Sequence, residues 1–193
     1  MRRALGWAML IAAAAVALAA ALLAAPSFVH PDASGYRSEA ADEGGAFPEI
    51  DWEGLRLANP DIVGWVKVPG TNIDAPICQA RPDDPERYLQ TAYDGSPSRA
   101  GCPYLDATCE EKGLGSAMPI VLGHSLLDGS MLTDFKEMSD AGYADGHAEI
   151  MLMSPEGNRM LEVACVKVVD ADVAQKVTGV KDASAAADLL RAE

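Results

Sequence analysis

The side chains best suited to chemistry near neutral pH are three histidines and four cysteines in a chain of 193 residues. His124 has the most telling setting. It follows the apolar run of "PIVLGHSLLDGSMLTDF" (residues 119–135) and opens a loop of Gly, Ser and Asp. Imidazole titrates near neutrality, so here it suits proton transfer or charge pairing with a thiolate. A strand end fixes the backbone and a flanking glycine lets the chain turn, leaving the ring accessible. The plain alternative is a surface histidine in a polar loop. Asp128 and Asp134 are near enough in sequence to orient the ring. They are equally suited to the short helix in "GSMLTDFKEM", with Asp128 or Ser130 as its cap. His147, in "ADGHAEIML", reads as a solvated residue opening a strand.

The cysteines are Cys78, Cys102, Cys109 and Cys165. Cys102 and Cys109 flank "PYLDAT" and could close a short disulfide loop, although connectivity is not readable from spacing. Cys78 and Cys165 lie in apolar, strand-like runs, where a buried free thiol is expected. Burial argues against Cys165 as a nucleophile, because a reactive thiolate needs a polar, accessible setting. There is no CxxC or HxxxH spacing, so neither a metal nor any other cofactor is expected.

These residues need a scaffold, and its expected divisions are four. Arg2 and Arg3 close a three-residue cytoplasmic start, 1–3. Ala4 to Ala25 is apolar over 22 residues, roughly 33 Å as a helix and enough to cross a bilayer. A cleaved signal peptide is the alternative, but the run exceeds the usual apolar region of about 7–15 residues. A single-pass plasma-membrane anchor with its N-terminus inside, and everything from about Pro26 outside the cytoplasm, is the expectation. Residues 26–47, rich in Pro, Gly, Ser, Ala and acid, read as a stalk. Residues 48–193 read as the folded domain. The 15 basic and 29 acidic residues give a net charge of −14, which repels nucleic acid and favours a solvated exterior.

Within the domain, Asp51 is placed to cap a helix carrying Trp52, Leu55 and Leu57, stopped by Asn59-Pro60. Strands are expected at 62–68 and 73–79, joined by the turn "PGTN", with Pro76 marking an edge or bend. Others are expected at 100–106 and 117–123. "AEIMLMS" and "MLEVACVKVVDA" form a hairpin around "PEGN". Short strands with small helices argue for a mostly β barrel or sandwich.

In order, "NPDIVGWVKVPGTNIDAPICQ", "RYLQTAYDG", "AGCPYLD" and "IVLGHSLLDGSMLTDF" resemble a sortase, most like class B. The matching residues are Asn59, Asp61, Gly64, Trp65, Pro76, Gln79, Tyr88, Leu89, Gly101, Asp106, Gly123, His124, Asp128, Gly129 and Met131. The resemblance runs from about Phe47 to the end. It implies a closed β-barrel with short helices, extracytoplasmic, acting as a cysteine transpeptidase. A thiolate attacks a sorting-signal peptide, and an amine from a cell-wall precursor or a pilin lysine resolves the thioacyl enzyme. His124 takes the place of the family's catalytic histidine, and an arginine is expected to steady the oxyanion. Asp84, Leu89 and Leu122 fall where the family lines its peptide groove. Asp84 stands where an amide would help to hold the peptide.

Two of the family's features are not found. Neither the T-L-x-T-C-like strand bearing the nucleophile nor the arginine beyond it occurs in this sequence. The expectation is therefore an incomplete barrel, inactive and poorly stable alone, ending in a helix at Ala183–Ala192. The competing class is a non-catalytic surface module or remnant that binds a peptide or partner without turnover.

Overall fold

The computed structural model describes residues 30–39, 46–168, 182 and 184–185. The expected anchor at 4–25, the cytoplasmic start and nearly all of the Ala183–Ala192 helix lie outside the described residues. Among the described residues no helix is long and apolar enough to cross a membrane.

Six strands form one sheet: β1 (Ile62–Lys67), β2 (Asp74–Gln79), β3 (Tyr104–Leu105), β4 (Val121–Leu122), β5 (Glu149–Met153) and β6 (Arg159–Glu162). Their order is β4-β3-β2-β1-β5-β6. Every neighbouring pair is antiparallel except β2 and β3, which run parallel. The mostly β class holds, and the sheet is a curled half-barrel: among the described residues β4 and β6 do not pair with each other. Among the described residues three short α-helices decorate it: α1 (Trp52–Ala58), α2 (Asp134–Glu137) and α3 (Ala141–Gly146).

Both faces of the central strands are covered, which is why β1 and β2 read as apolar runs rather than as clean alternation. Trp65, Cys78, Tyr104, Met151 and Met153 point to one core, shared with Leu55 of α1. Val66, Ile77, Leu105 and Leu152 point to the other, closed by Leu114, Met138, Phe135 and Tyr143. Helix α1 starts as expected, with the Asp51 carboxylate accepting from Gly54 N at 2.9 Å. It buries Leu55 fully but leaves Leu57 82% exposed, because the helix lies flat with one face inward. β3 reaches only Cys78 and Gln79, so Pro76 lies on the stretch of β2 that β3 does not cover.

Several elements are shorter than expected. The strands foreseen at 100–106 and 117–123 shrink to two residues each. Gly101 with φ +63° and Pro103 break the first, and Pro119 and Gly123 bound the second. β6 stops at Glu162, so Cys165 falls beyond the hairpin and is exposed rather than buried. The expected stalk is not free where it is described. Ala33 is buried, Arg37 pairs with Asp74 at 2.9 Å, Arg37 bridges Ile50, and Tyr93 Oη donates to the Asp32 carbonyl at 3.1 Å. Asp74 also accepts from Trp65 Nε1 at 2.7 Å and Lys67 Nζ at 3.0 Å, so the carboxylate that Arg37 meets is itself held on the sheet.

Candidate active site

β4 delivers His124 through Gly123. A side chain at Gly123 would meet Leu132 Cδ1 at 2.9 Å, so the glycine lets Leu132 of the returning loop pack against the backbone here. The loop closes where Leu132 N donates to the His124 carbonyl at 3.0 Å and Ser125 bridges Met131. Between them the backbone turns through Gly129 (φ +82°) and Met131 (φ +59°). Thr133 fastens the loop from inside: its hydroxyl accepts from Leu126 N at 2.7 Å and donates toward the Ser130 carbonyl at 2.6 Å.

Neither aspartate foreseen as a partner for the ring bonds to it. Asp128 accepts from Ser130 N at 3.0 Å and from its hydroxyl at 2.6 Å, a local turn that holds the Asp128 carboxyl below the usual range. Nor does Asp128 or Ser130 cap α2, whose N-cap is Thr133, without a side-chain capping bond. Asp134 is buried in the first turn of α2 and accepts from Asn72 N at 2.6 Å, tying the loop to the β1–β2 turn.

The ring is held instead by a main-chain group. His124, half-buried, donates from Nε2 to the Leu89 carbonyl at 2.8 Å. A carbonyl only accepts, so Nε2 carries the proton and Nδ1 is the nitrogen left for exchange. The carbonyl is fixed in its turn. Cys102 N donates to the Tyr88 carbonyl at 3.0 Å, and a Cβ on Gly101 would lie 2.3 Å from that oxygen and 3.0 Å from the Leu89 oxygen. The Tyr88 side chain is buried, donates to Asp61 Oδ2 at 2.9 Å and accepts from Asn59 Nδ2 at 3.1 Å. Burial above all pushes the Tyr88 hydroxyl up, so it stays a donor. Burial also pushes the Asp61 carboxyl up, but hydrogen bonds from Arg81 and Tyr88 outweigh it and hold the group below its usual range. Asn59, Asp61, Tyr88 and Gly101 thus act as the frame behind one carbonyl.

The three groove residues fall differently. Asp84 and Leu89 line one shallow cavity of about 350 Å³ with Glu86, Arg87, Gln90 and Thr91. Leu89 links that cavity to the histidine, since its carbonyl holds the ring. Leu122, in β4, is half-buried and packs on the first core, and no hydrogen bond joins it or Asp84 to His124 among the described residues. His147 is not a solvated strand opener. It caps the end of α3, donates from Nδ1 to the Tyr143 carbonyl at 2.8 Å and stacks on the Tyr143 ring with centroids 4.1 Å apart.

All four cysteines are free. The Cys102–Cys109 link is not formed, for a simple reason: Cys102 belongs to the core on one face of the sheet and Cys109 to the core on the other. The sulfur beside Cys102 is that of Cys78, at 3.7 Å. Among the described residues no group of three or more His, Cys, Asp or Glu could hold a metal ion. Sequence reasoning missed the Leu89 carbonyl, which has no side-chain signature, and Thr133, whose only sign was a hydroxyl three residues after Ser130.

No family model matches the chain. It is 31% identical over 112 residues to sortase B of Listeria monocytogenes, covering 58% of this chain and 44% of that protein. Among solved structures, a Bacillus anthracis protein similar to sortase B superposes with TM-score 0.65 at 26% identity, over 81% of this chain and 69% of that one. A sortase B complexed with triglycine superposes with TM-score 0.53 at 27% identity, over 58% and 51%. The chain spans less than half the length of the curated relatives it matches.

Proposed function

Taking this chain as a member of the sortase family, most like class B, we propose that it serves class B-type cysteine transpeptidation and supplies the acid–base histidine. The observation that carries this reading is His124 at the end of β4, with Nε2 spent on the Leu89 carbonyl and Nδ1 left to exchange a proton. In that chemistry a thiolate adds to the backbone carbonyl of a sorting-signal peptide, and the bond to the leaving amine breaks. Nδ1–H of the imidazolium gives its proton to that amine. The neutral Nδ1 then takes one from the incoming amine, of a cell-wall precursor or a pilin lysine, as it attacks the thioester. The cavity beside Asp84 and Leu89 is the proposed path of the peptide. That a related sortase B was complexed with triglycine supports an amine as the second substrate. The proposed setting is the outer face of the plasma membrane, with residues 4–25 as anchor.

Turnover by this chain alone is not expected. Among the described residues no sulfur bonds to His124, and exposed Cys165 lies beyond the end of β6. The test is a quenched-fluorescent panel of sorting-signal peptides, with and without triglycine, on the full chain. Peptide binding without cleavage is the expected result, and reading the coding DNA past codon 193 should then reveal a T-L-x-T-C strand in frame. Cleavage abolished by Cys165→Ala would overturn the inactivity and make Cys165 the nucleophile. Binding that persists with no such strand encoded would favour the non-catalytic module.

A further inference from the structure

We infer that Cys78 and Cys102 are a redox-active thiol pair, a disulfide site closed by exchange with a small neutral or cationic disulfide that enters beside Cys102. The backbone already brings the two together. Cys78 pairs with Tyr104 across the parallel β2–β3 ladder and its N–H donates to the Pro103 carbonyl at 3.0 Å, so Cys102 arrives just upstream of the contact. The sulfurs lie 3.7 Å apart in the core. A disulfide bond is about 2.05 Å long, so they need to close by about 1.7 Å.

A second observation is independent of that contact. A cavity of about 360 Å³ reaches Cys102, which shares its wall with Asp32, Tyr93, Pro103, Asp128 and Met131, whereas Cys78 is not part of the lining. Exchange therefore begins at Cys102. Its thiolate attacks one sulfur of RSSR, expels RS⁻ and forms Cys102–S–SR. The Cys78 thiolate then attacks the Cys102 sulfur and expels the second RS⁻. Two thiol protons leave, two electrons pass to RSSR, and the products are one protein disulfide and two RSH. The wall holds three carboxylates, Asp32, Asp74 and Asp128, against one imidazole, His30. Asp32 and Asp128 are held below the usual carboxyl range and so are charged, which disfavours an anionic oxidant. The hydrogen bond to Cys78, with burial, pushes the Cys102 thiol up. Closure is then slow at neutral pH and quickens roughly tenfold per pH unit.

The test treats the full chain with cystamine, 2-hydroxyethyl disulfide or oxidised glutathione, then quenches with acid, alkylates under denaturing conditions and maps the linked peptides by mass. The expected result is a Cys78–Cys102 link, formed faster with cystamine than with glutathione and unchanged in a Cys109→Ser/Cys165→Ser variant. In Cys78→Ser, Cys102 should stop at the mixed disulfide. The same oxidation in urea supplies the contrast. Cys102 lies 24 positions from Cys78 but only seven from Cys109, so loop-closure entropy favours the Cys102–Cys109 link about sixfold in an unfolded chain. Thiols that stay alkylatable without urea, or the same link pattern with and without urea, would overturn the inference.

Discussion

Strands β4 and β6 close opposite flanks of one sheet, yet they are held in different ways. β6 pairs with β5 through a regular ladder, Glu149–Glu162 to Leu152–Arg159, while all four of its residues are exposed. β4 has only two ladder positions, but the segment that follows it is fixed by the Leu89 carbonyl, by Thr133 and by Asp134 on Asn72. A ladder asks only for extended backbone. The His124 flank asks for particular residues at particular places, which is what a site that must aim one nitrogen requires.

Substitutions should therefore be costly on one flank and cheap on the other. The largest effect is expected for Gly101→Ala. Its Cβ would meet the Tyr88 oxygen at 2.3 Å in a left-handed backbone, so a loss of at least about 2 kcal/mol should appear in denaturant unfolding. In ¹⁵N spectra the same variant should lose the fixed Nε2–H tautomer of His124. Thr133→Val comes next, because it strands the Leu126 N–H and should cost about 1–2 kcal/mol. An unchanged His124 spectrum there would break the claim that the loop positions the ring.

A smaller effect belongs to Asp61. Its folded pKa lies below the ordinary 3.8, so its stabilisation is complete above that value and is lost as pH falls through the folded one. Melting temperature should drop on acidification below about pH 4, and Asp61→Asn, less stable at neutral pH, should flatten that drop. On the other flank, Leu161→Ser should change stability by no more than about 0.5 kcal/mol, since Leu161 is 41% exposed. A larger loss there would mean that β6 is covered in solution.

The central pair β1–β2, the hairpin to β6 and the Asp51 cap were readable because each rests on local signals: β-branched runs, turn residues and a carboxylate three residues before its amide. The position of His124 was readable from its place in an ordered series of motifs. Its partner was not. Asp128 looked available but is consumed two residues away by Ser130, and Asp134 by a turn 62 positions off. Cys109 looked like the mate of Cys102, but the strand between them turns them to opposite cores. Cys165 looked buried because the apolar pattern runs on past the point where pairing with β5 ends.

The bond that aims His124 joins positions 35 apart, across the segment from residue 80 to 103 that parallel β2 and β3 require. The β1–β2 and β5–β6 hairpins close over short turns and should form early, whereas ordering that crossover demands the larger entropy and should come late. A chain in which only the hairpins have condensed would own the histidine but leave its two nitrogens indistinguishable. The proton transfer proposed for His124 would then be a late-maturing property, and brief local opening of the crossover would switch it off while the centre of the sheet stays intact.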